Sequence, residues 1–301
     1  MRVGVSYSHR HARYLGLDPI TSFKRVAAMG FSPLRLSAYW NEVASEGYGA
    51  LDALISVAER AQAKVVLTLG MKAIRWPEFF VPTEISRRNR REVLLEFVAS
   101  TVRRYRSSPA LEAWQVENEP RNRSGPGRRL VPIRLLTEEM AVVRELDSRP
   151  RVISAFFHFA EPLDSLSRPW PWKDPMSEIL PLLGGGDVLG IDVYPFAPVR
   201  LGMLHWQSRA SLDWPAKAGR LRAAVHSAGA EAWVLEAQAE PWYPCSFEAG
   251  DMTIVFGGLR NAGFGTVLLW GCEFWLKRDA EGDPSWLSQA QAILRSAQAA
   301  C

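Results

Sequence analysis

The chain has little cysteine, little lysine and no long apolar run. Its 301 residues include three cysteines, Cys245, Cys272 and Cys301. An odd number without metal-ligand spacing argues against a disulfide framework and against a structural zinc site. Free thiols suit a reducing compartment, so the expected location is cytoplasmic. No stretch reaches the ~18 consecutive apolar residues of a spanning helix, and the opening MRVGVSYSHR lacks the apolar core of an export signal. No membrane partner is expected. Gly (22) and Pro (20) stand near ordinary usage, which excludes fibrous and low-complexity chains. The net charge is only +4, and 6 Lys against 30 Arg reads as genome composition. A basic run alone is weak evidence for nucleic-acid binding, and no motif for it is visible.

What is present fits a folded protein. Apolar residues make up 48% and charged residues 23%, which excludes a disordered chain. There are 12 Trp, nearly as many as the 13 Phe and more than the 7 Tyr. Flat amphipathic rings suit a ligand that is partly apolar and partly polar. Burial in a large core is the competing explanation for any one of them.

Short runs of Val, Ile and Leu recur along the chain. Strands are predicted at Arg2–Tyr7, Pro33–Ala38, Lys64–Leu69, Leu111–Glu117, Val152–Phe156, Asp187–Tyr194, Ala232–Glu236 and Phe264–Trp270. Most are too short for helices and do not alternate, as expected of strands covered on both faces. Helical periodicity lies between them. Leu94, Phe97, Val98, Thr101 and Tyr105 form one apolar stripe, and Trp286, Ala290, Ile293 and Leu294 form another behind Asp283-Pro284. Asp18-Pro19 opens the first helix and Gly30 closes it. The fold class is α/β: a (β/α)8 TIM barrel, with residues 1–301 as one catalytic domain. A doubly wound open sheet would show a Gly-rich turn after an early strand, and none is visible. The irregular stretches near 70–88, 120–130, 158–172 and 240–250 each follow a strand. Barrel enzymes build their active sites from such loops.

Two strand ends carry chemistry. Trp114-Gln115-Val116-Glu117-Asn118-Glu119-Pro120 ends the fourth predicted strand, and Trp233-Val234-Leu235-Glu236 ends the seventh. A barrel brings both ends to one face, so Glu119 and Glu236 meet across one pocket. Paired carboxyl groups are what glycosidic-bond cleavage needs, one protonated to assist the leaving oxygen and one ionised at the anomeric carbon. Two environments must hold their pKa values apart.

Here the sequence resembles glycoside hydrolase clan A, the barrel superfamily of cellulases, β-mannanases, β-galactosidases and β-glucosidases. The Asn-Glu-Pro at strand four is the most recognisable motif, and strand order extends the likeness over nearly the whole chain. The resemblance implies that Glu119 is the general acid/base and Glu236 the nucleophile. It implies that Asn118 contacts the sugar 2-hydroxyl, that Arg35 lies near the nucleophile, and that Tyr194 hydrogen-bonds it. Trp270 or Trp275 would floor the sugar subsite. Two features depart from the pattern: Asp192 stands where relatives often have His, and Thr68-Leu69-Gly70-Met71-Lys72 lacks the usual His or Trp.

The implied activity is retaining hydrolysis of β-linked sugars, without metal or cofactor, on an oligosaccharide or small β-glycoside. A sugar-binding barrel with little turnover, or a transglycosylase, would use the same residues. Glu117 and Glu240 are weaker candidates for the acid and the nucleophile. His9, His11 and His158 with Asp192 are the residues a metal reading would use. A sugar contact suits His158 better. Tyr39-Trp40, Arg75-Trp76 and Tyr243 either line subsites or pack in loops, with Trp40 and Trp76 the ring candidates. Arg121, Arg123, Arg128 and Arg129 offer either recognition of acidic sugars or a solvated basic loop.

Overall fold

Eight short runs of Val, Leu and Ile form the staves of one closed parallel barrel. The computed structural model describes residues 1–157, 159, 175–201, 204–209, 212–242 and 247–299. The barrel strands are β1 (Arg2–Ser6), β2 (Leu34–Ser37), β3 (Val65–Leu69), β4 (Leu111–Val116), β5 (Arg151–Phe157) and β6 (Val188–Val193). A hairpin, β7 (Phe196–Leu201) and β8 (Leu204–Arg209), then interrupts the series before β9 (Glu231–Gln238) and β10 (Thr266–Trp270). The barrel closes in the order β1-β10-β9-β6-β5-β4-β3-β2, all pairs parallel. The α/β barrel expected from the strand–helix alternation is therefore what forms. The antiparallel hairpin lies outside the eight strands expected from the sequence.

Most staves are buried along their whole length, because helices cover the outside and side chains fill the inside. The inward residues form two layers. Val66, Ala113, Val152, Val188, Trp233, Leu235 and Leu268 form an apolar floor. Two residues further along three of the same strands come Thr68, Gln115 and Ser154, and four beyond Val188 comes Asp192, all buried and polar. Side chains alternate along a strand, so a step of two stays on the inner face. Gly190 leaves room in the floor, since a Cβ there would stand 2.4 Å from a Leu235 methyl carbon.

Helices pack their apolar stripes on the outer faces. The helix Arg90–Tyr105 buries Leu94, Phe97, Val98, Thr101 and Tyr105. The helix Ser285–Gln298 buries Trp286, Ala290, Ile293 and Leu294. Asp18 caps the helix Pro19–Ala28 by accepting from the Thr21 N–H at 2.7 Å. Gly30, with φ of 90°, lies two residues beyond that helix. Among the described residues no helix is long and apolar enough to cross a membrane.

Candidate active site

The exits of β3 and β4 are zipped together, and this sets the position of Glu119. The Glu117 N–H donates to the Leu69 carbonyl at 2.8 Å and the Asn118 N–H to the Lys72 carbonyl at 2.7 Å. The Glu117 carboxylate accepts from the Met71 N–H at 3.0 Å and the Lys72 N–H at 2.5 Å. It lies directly over Gly70, where a Cβ would stand 2.4 Å from the Glu117 carboxyl carbon. Glu117 and Glu119 both adopt positive φ, 61° and 42°. That backbone is unfavourable for a residue with a side chain, and the surrounding bonds hold it. Glu117 is thus an anchor of the β3 exit and does not reach the cavity. Behind it, the buried Glu139 faces Glu117, and burial together with the Glu117 charge pushes Glu139 well above the usual carboxyl range.

Glu119 is then fixed from three sides. Its N–H donates to Ser154 Oγ at 2.8 Å, Asn122 Nδ2 donates to its Oε2 at 2.9 Å, and Lys72 Nζ donates to its carbonyl oxygen at 2.7 Å. Lys72 is fully buried and also donates to the Asn122 carbonyl at 3.1 Å and Ser124 Oγ at 2.9 Å. In the sequence this strand exit stands out only as a departure from the clan pattern, and nothing there marks Lys72.

Glu236 stands on β9 with two donors of its own. Arg35 Nη1 donates to Oε1 at 2.8 Å, and the Tyr194 hydroxyl donates to Oε2 at 2.6 Å. The Arg35 guanidinium is wholly buried and gives four side-chain hydrogen bonds. Its Nε donates to Gln115 Oε1 at 2.6 Å, its Nη1 also to Ser6 Oγ at 3.3 Å, and its Nη2 to Asn118 Oδ1. With Oδ1 of Asn118 held, its Nδ2 is the donor left for a ligand. Burial and the Glu236 charge push the Tyr194 hydroxyl well above its ordinary range, so it stays a donor.

One carboxyl oxygen each of Glu119, Asp192 and Glu236 lie within 4.8 Å of one another. Burial first, and the Glu236 charge second, push Glu119 up to about 7. Glu236 faces a guanidinium and a hydroxyl donor, whereas Glu119 has one amide donor and a buried setting. The two carboxyl groups therefore have different sets of hydrogen-bond donors. The same trio is the group of described residues spaced closely enough to share a cation.

These groups open into a cavity of about 1110 Å³. Tyr194 and Trp270 form part of its wall, and Arg75 lies 4.1 Å above the Trp270 ring. Arg75 is held by Glu240 and by Glu273, the latter at 2.5 Å. At the mouth stand Tyr14, Trp76 and Trp242, three large apolar side chains left exposed.

No family model matches the chain, and no curated protein matches it. Solved structures do match, 552 chains in all. A polyextremophilic β-galactosidase from the haloarchaeon Halorubrum lacusprofundi is 16% identical, with a TM-score of 0.60 over 98% of this chain and 58% of its own. The GH5_18 protein of Streptomyces cattleya, solved with GlcNAc, is 15% identical, with a TM-score of 0.61 over 90% and 70%. A fungal β-1,4-galactanase is 16% identical, with a TM-score of 0.63 over 98% and 99%. The chain shares the (β/α)8 barrel fold of these structures. At these identities the likeness is one of fold, and the chain spans 58% of the haloarchaeal enzyme's length.

Within that fold several expected ring and ligand positions fall elsewhere. Trp275 does not floor the cavity. It points from the helix Cys272–Ala280 into the core, where its Nε1 donates to the Ala239 carbonyl at 2.7 Å. Trp40 begins the helix Trp40–Glu46 and stacks on Phe97, 5.8 Å between ring centres, inside the helix layer. Tyr39, its neighbour, does line the cavity. Glu240 is tied to Arg75 and serves as a loop anchor. His9 is turned away to Glu42 at 2.5 Å, while His11 lines the cavity and is pushed down to about 4 by burial and by Arg75. The arginines after Glu119 do not line the cavity. Arg121 pairs with Glu178 at 2.7 Å and Arg129 lies 4.4 Å from the Phe79 ring centre. His158 and Tyr243 lie outside the described residues. Tyr14 and Phe156 line the cavity without having been singled out in the sequence. Tyr14 shares a helix with His9 and His11, which no strand-end motif would reveal.

Proposed function

We propose that residues 1–301 form the catalytic domain of a retaining β-glycoside hydrolase, with Glu236 as nucleophile and Glu119 as general acid/base. The observation that carries this reading is the spacing of the two carboxyl groups, within 4.8 Å at their near oxygens. Retaining glycosidases hold theirs about 5–5.5 Å apart, and inverting ones about 6.5–9.5 Å.

In the first step a Glu236 oxygen bonds to the anomeric carbon as the glycosidic C–O bond breaks. The leaving oxygen takes the Glu119 proton. In the second step water attacks the same carbon, gives a proton to Glu119, and releases the Glu236 carboxylate. Asn118 Nδ2 is placed to donate to the sugar 2-hydroxyl, Trp270 to pack under the ring, and Trp76 to meet a second ring or aglycone at the mouth. The cavity suits an oligosaccharide or small β-glycoside.

The test uses a panel of aryl β-glycosides. Glu119→Gln and Glu236→Gln should each lose nearly all hydrolysis while keeping their circular dichroism. Full activity in either variant overturns the assignment.

A further inference from the structure

We propose that Asp192 is a positioning residue for the acid/base: it stays a neutral carboxylic acid and donates its O–H to the carboxylate that Glu119 becomes on giving up its proton. This rests on the glycosidase reading above.

Asp192 lies on β6, directly opposite Glu236 on β9 and two residues before Tyr194. It is wholly buried, and among the described residues no donor reaches either carboxyl oxygen. The neighbouring carboxylates are not left this way. Glu236 has Arg35 and Tyr194, Glu117 has two backbone N–H groups, and Glu119 has Asn122. An ionised carboxylate buried without a donor is strongly disfavoured.

The charged and titratable groups that face Asp192 do not relieve it. Glu119 at the β4 exit and Glu236 on β9 are acids, and both push Asp192 toward its neutral form, after burial. Arg35 on β2 favours the anion, yet no N–H of Arg35 reaches Asp192, and four of its five go to Gln115, Ser6, Glu236 and Asn118. The Tyr194 hydroxyl on the same strand is spent on Glu236. A neutral Asp192 has one proton to donate. Each Glu236 oxygen already accepts a bond, whereas the Glu119 carboxyl group accepts one, from Asn122 at Oε2, so Glu119 is the less satisfied acceptor.

The consequence falls on the proton transfer. As Glu119 passes its proton to the leaving oxygen, negative charge grows on its carboxyl group. The Asp192 O–H bond to it then becomes charge-assisted and stronger. An interaction that strengthens toward the transition state raises the rate, rather than only the affinity. Asp192 keeps its own proton throughout. When water later returns a proton to Glu119, the bond relaxes.

The experiment compares Asp192→Asn and Asp192→Ala by the pH profile of kcat/KM. Asp192→Ala should lower kcat by about 10²-fold, the usual loss for one such donor. Its basic limb should move to higher pH, because the Glu119 anion has lost a donor. Asp192→Asn keeps a donor and should restore most of the rate and the original limb. Unchanged kcat and limb in Asp192→Ala overturn the proposal. So does a basic limb that moves to lower pH in both variants, the mark of an ionised Asp192. Carboxyl ¹³C NMR of aspartate-labelled wild type, with Asp192 assigned through Asp192→Asn, reads the proton without turnover. A resonance still protonated above about pH 6 supports the proposal, and one that titrates with ordinary aspartates near pH 4 overturns it. If no glycoside is cleaved while Asp192 remains protonated, the glycosidase reading fails separately.

Discussion

Lys72 Nζ, from the exit of β3, donates at 2.7 Å to the carbonyl oxygen of Glu119, at the exit of β4. The ammonium is wholly buried and gathers oxygens from Asn122, Ser124 and Glu78 as well. One charge thereby ties the loop after β4 around Glu119 and holds that residue in its positive-φ backbone.

Replacing this lysine tests the idea that the loop is positioned from outside. Lys72→Met leaves two carbonyls and the Glu78 carboxylate without their cation. Removing one partner of a buried pair costs about 3–5 kcal/mol. Urea denaturation should show a loss of that order, and kcat should fall more than KM changes, since Glu119, the proposed acid/base, loses its fixed place. A variant with wild-type stability and kcat would contradict the assigned role.

The raised Glu119 carries a stability signature with a definite sign. Its carboxyl group goes from an ordinary 4.5 to about 7 on folding. Above pH 4.5 the unfolded chain ionises it while the folded protein keeps the proton, so folding is progressively disfavoured as pH rises to about 7. Below pH 4.5 both states are protonated and the effect vanishes. Glu119→Gln should therefore be more stable than wild type at pH 8, by roughly 3 kcal/mol at most. It should match wild type near pH 4. Denaturation midpoints at the two pH values check this, and a stabilisation that grows toward low pH would contradict it.

Two tryptophans separate binding from packing. Trp76 is 73% exposed at the cavity mouth, and Trp275 is 1% exposed in the core. Trp76→Ala should raise KM for oligosaccharides with little change in Tm. Trp275→Ala should cost about 3–5 kcal/mol, the usual range for a large buried ring, with KM nearly unchanged. Steady-state kinetics and thermal melts on both variants decide it, and a reversed pattern would contradict the placement.

The barrel was legible because each stave is a short Val/Leu/Ile run covered on both faces. Runs such as Val65–Leu69 and Thr266–Trp270 fit no other element well. Glu119, Glu236, Arg35 and Tyr194 were legible as strand-end residues that a barrel must gather. Glu117 was ambiguous for a physical reason. Strict alternation places it beside Glu119, but its φ of 61° turns the chain and sends its carboxylate to the N–H groups of Met71 and Lys72. Trp40 and Trp275 each follow a strand end closely, yet both sit in the first turns of helices whose inner faces take the ring. Asp192 was visible as a departure from pattern, and its lack of a donor is visible only in three dimensions.

The stereochemistry of hydrolysis tests the pairing of Glu119 and Glu236 most directly. Proton NMR of the first-formed sugar, recorded before mutarotation, reads the anomeric configuration. With carboxyl oxygens within 4.8 Å, the β-glycoside should release the β-anomer first. Release of the α-anomer would mean a single displacement by water and would contradict a covalent role for Glu236.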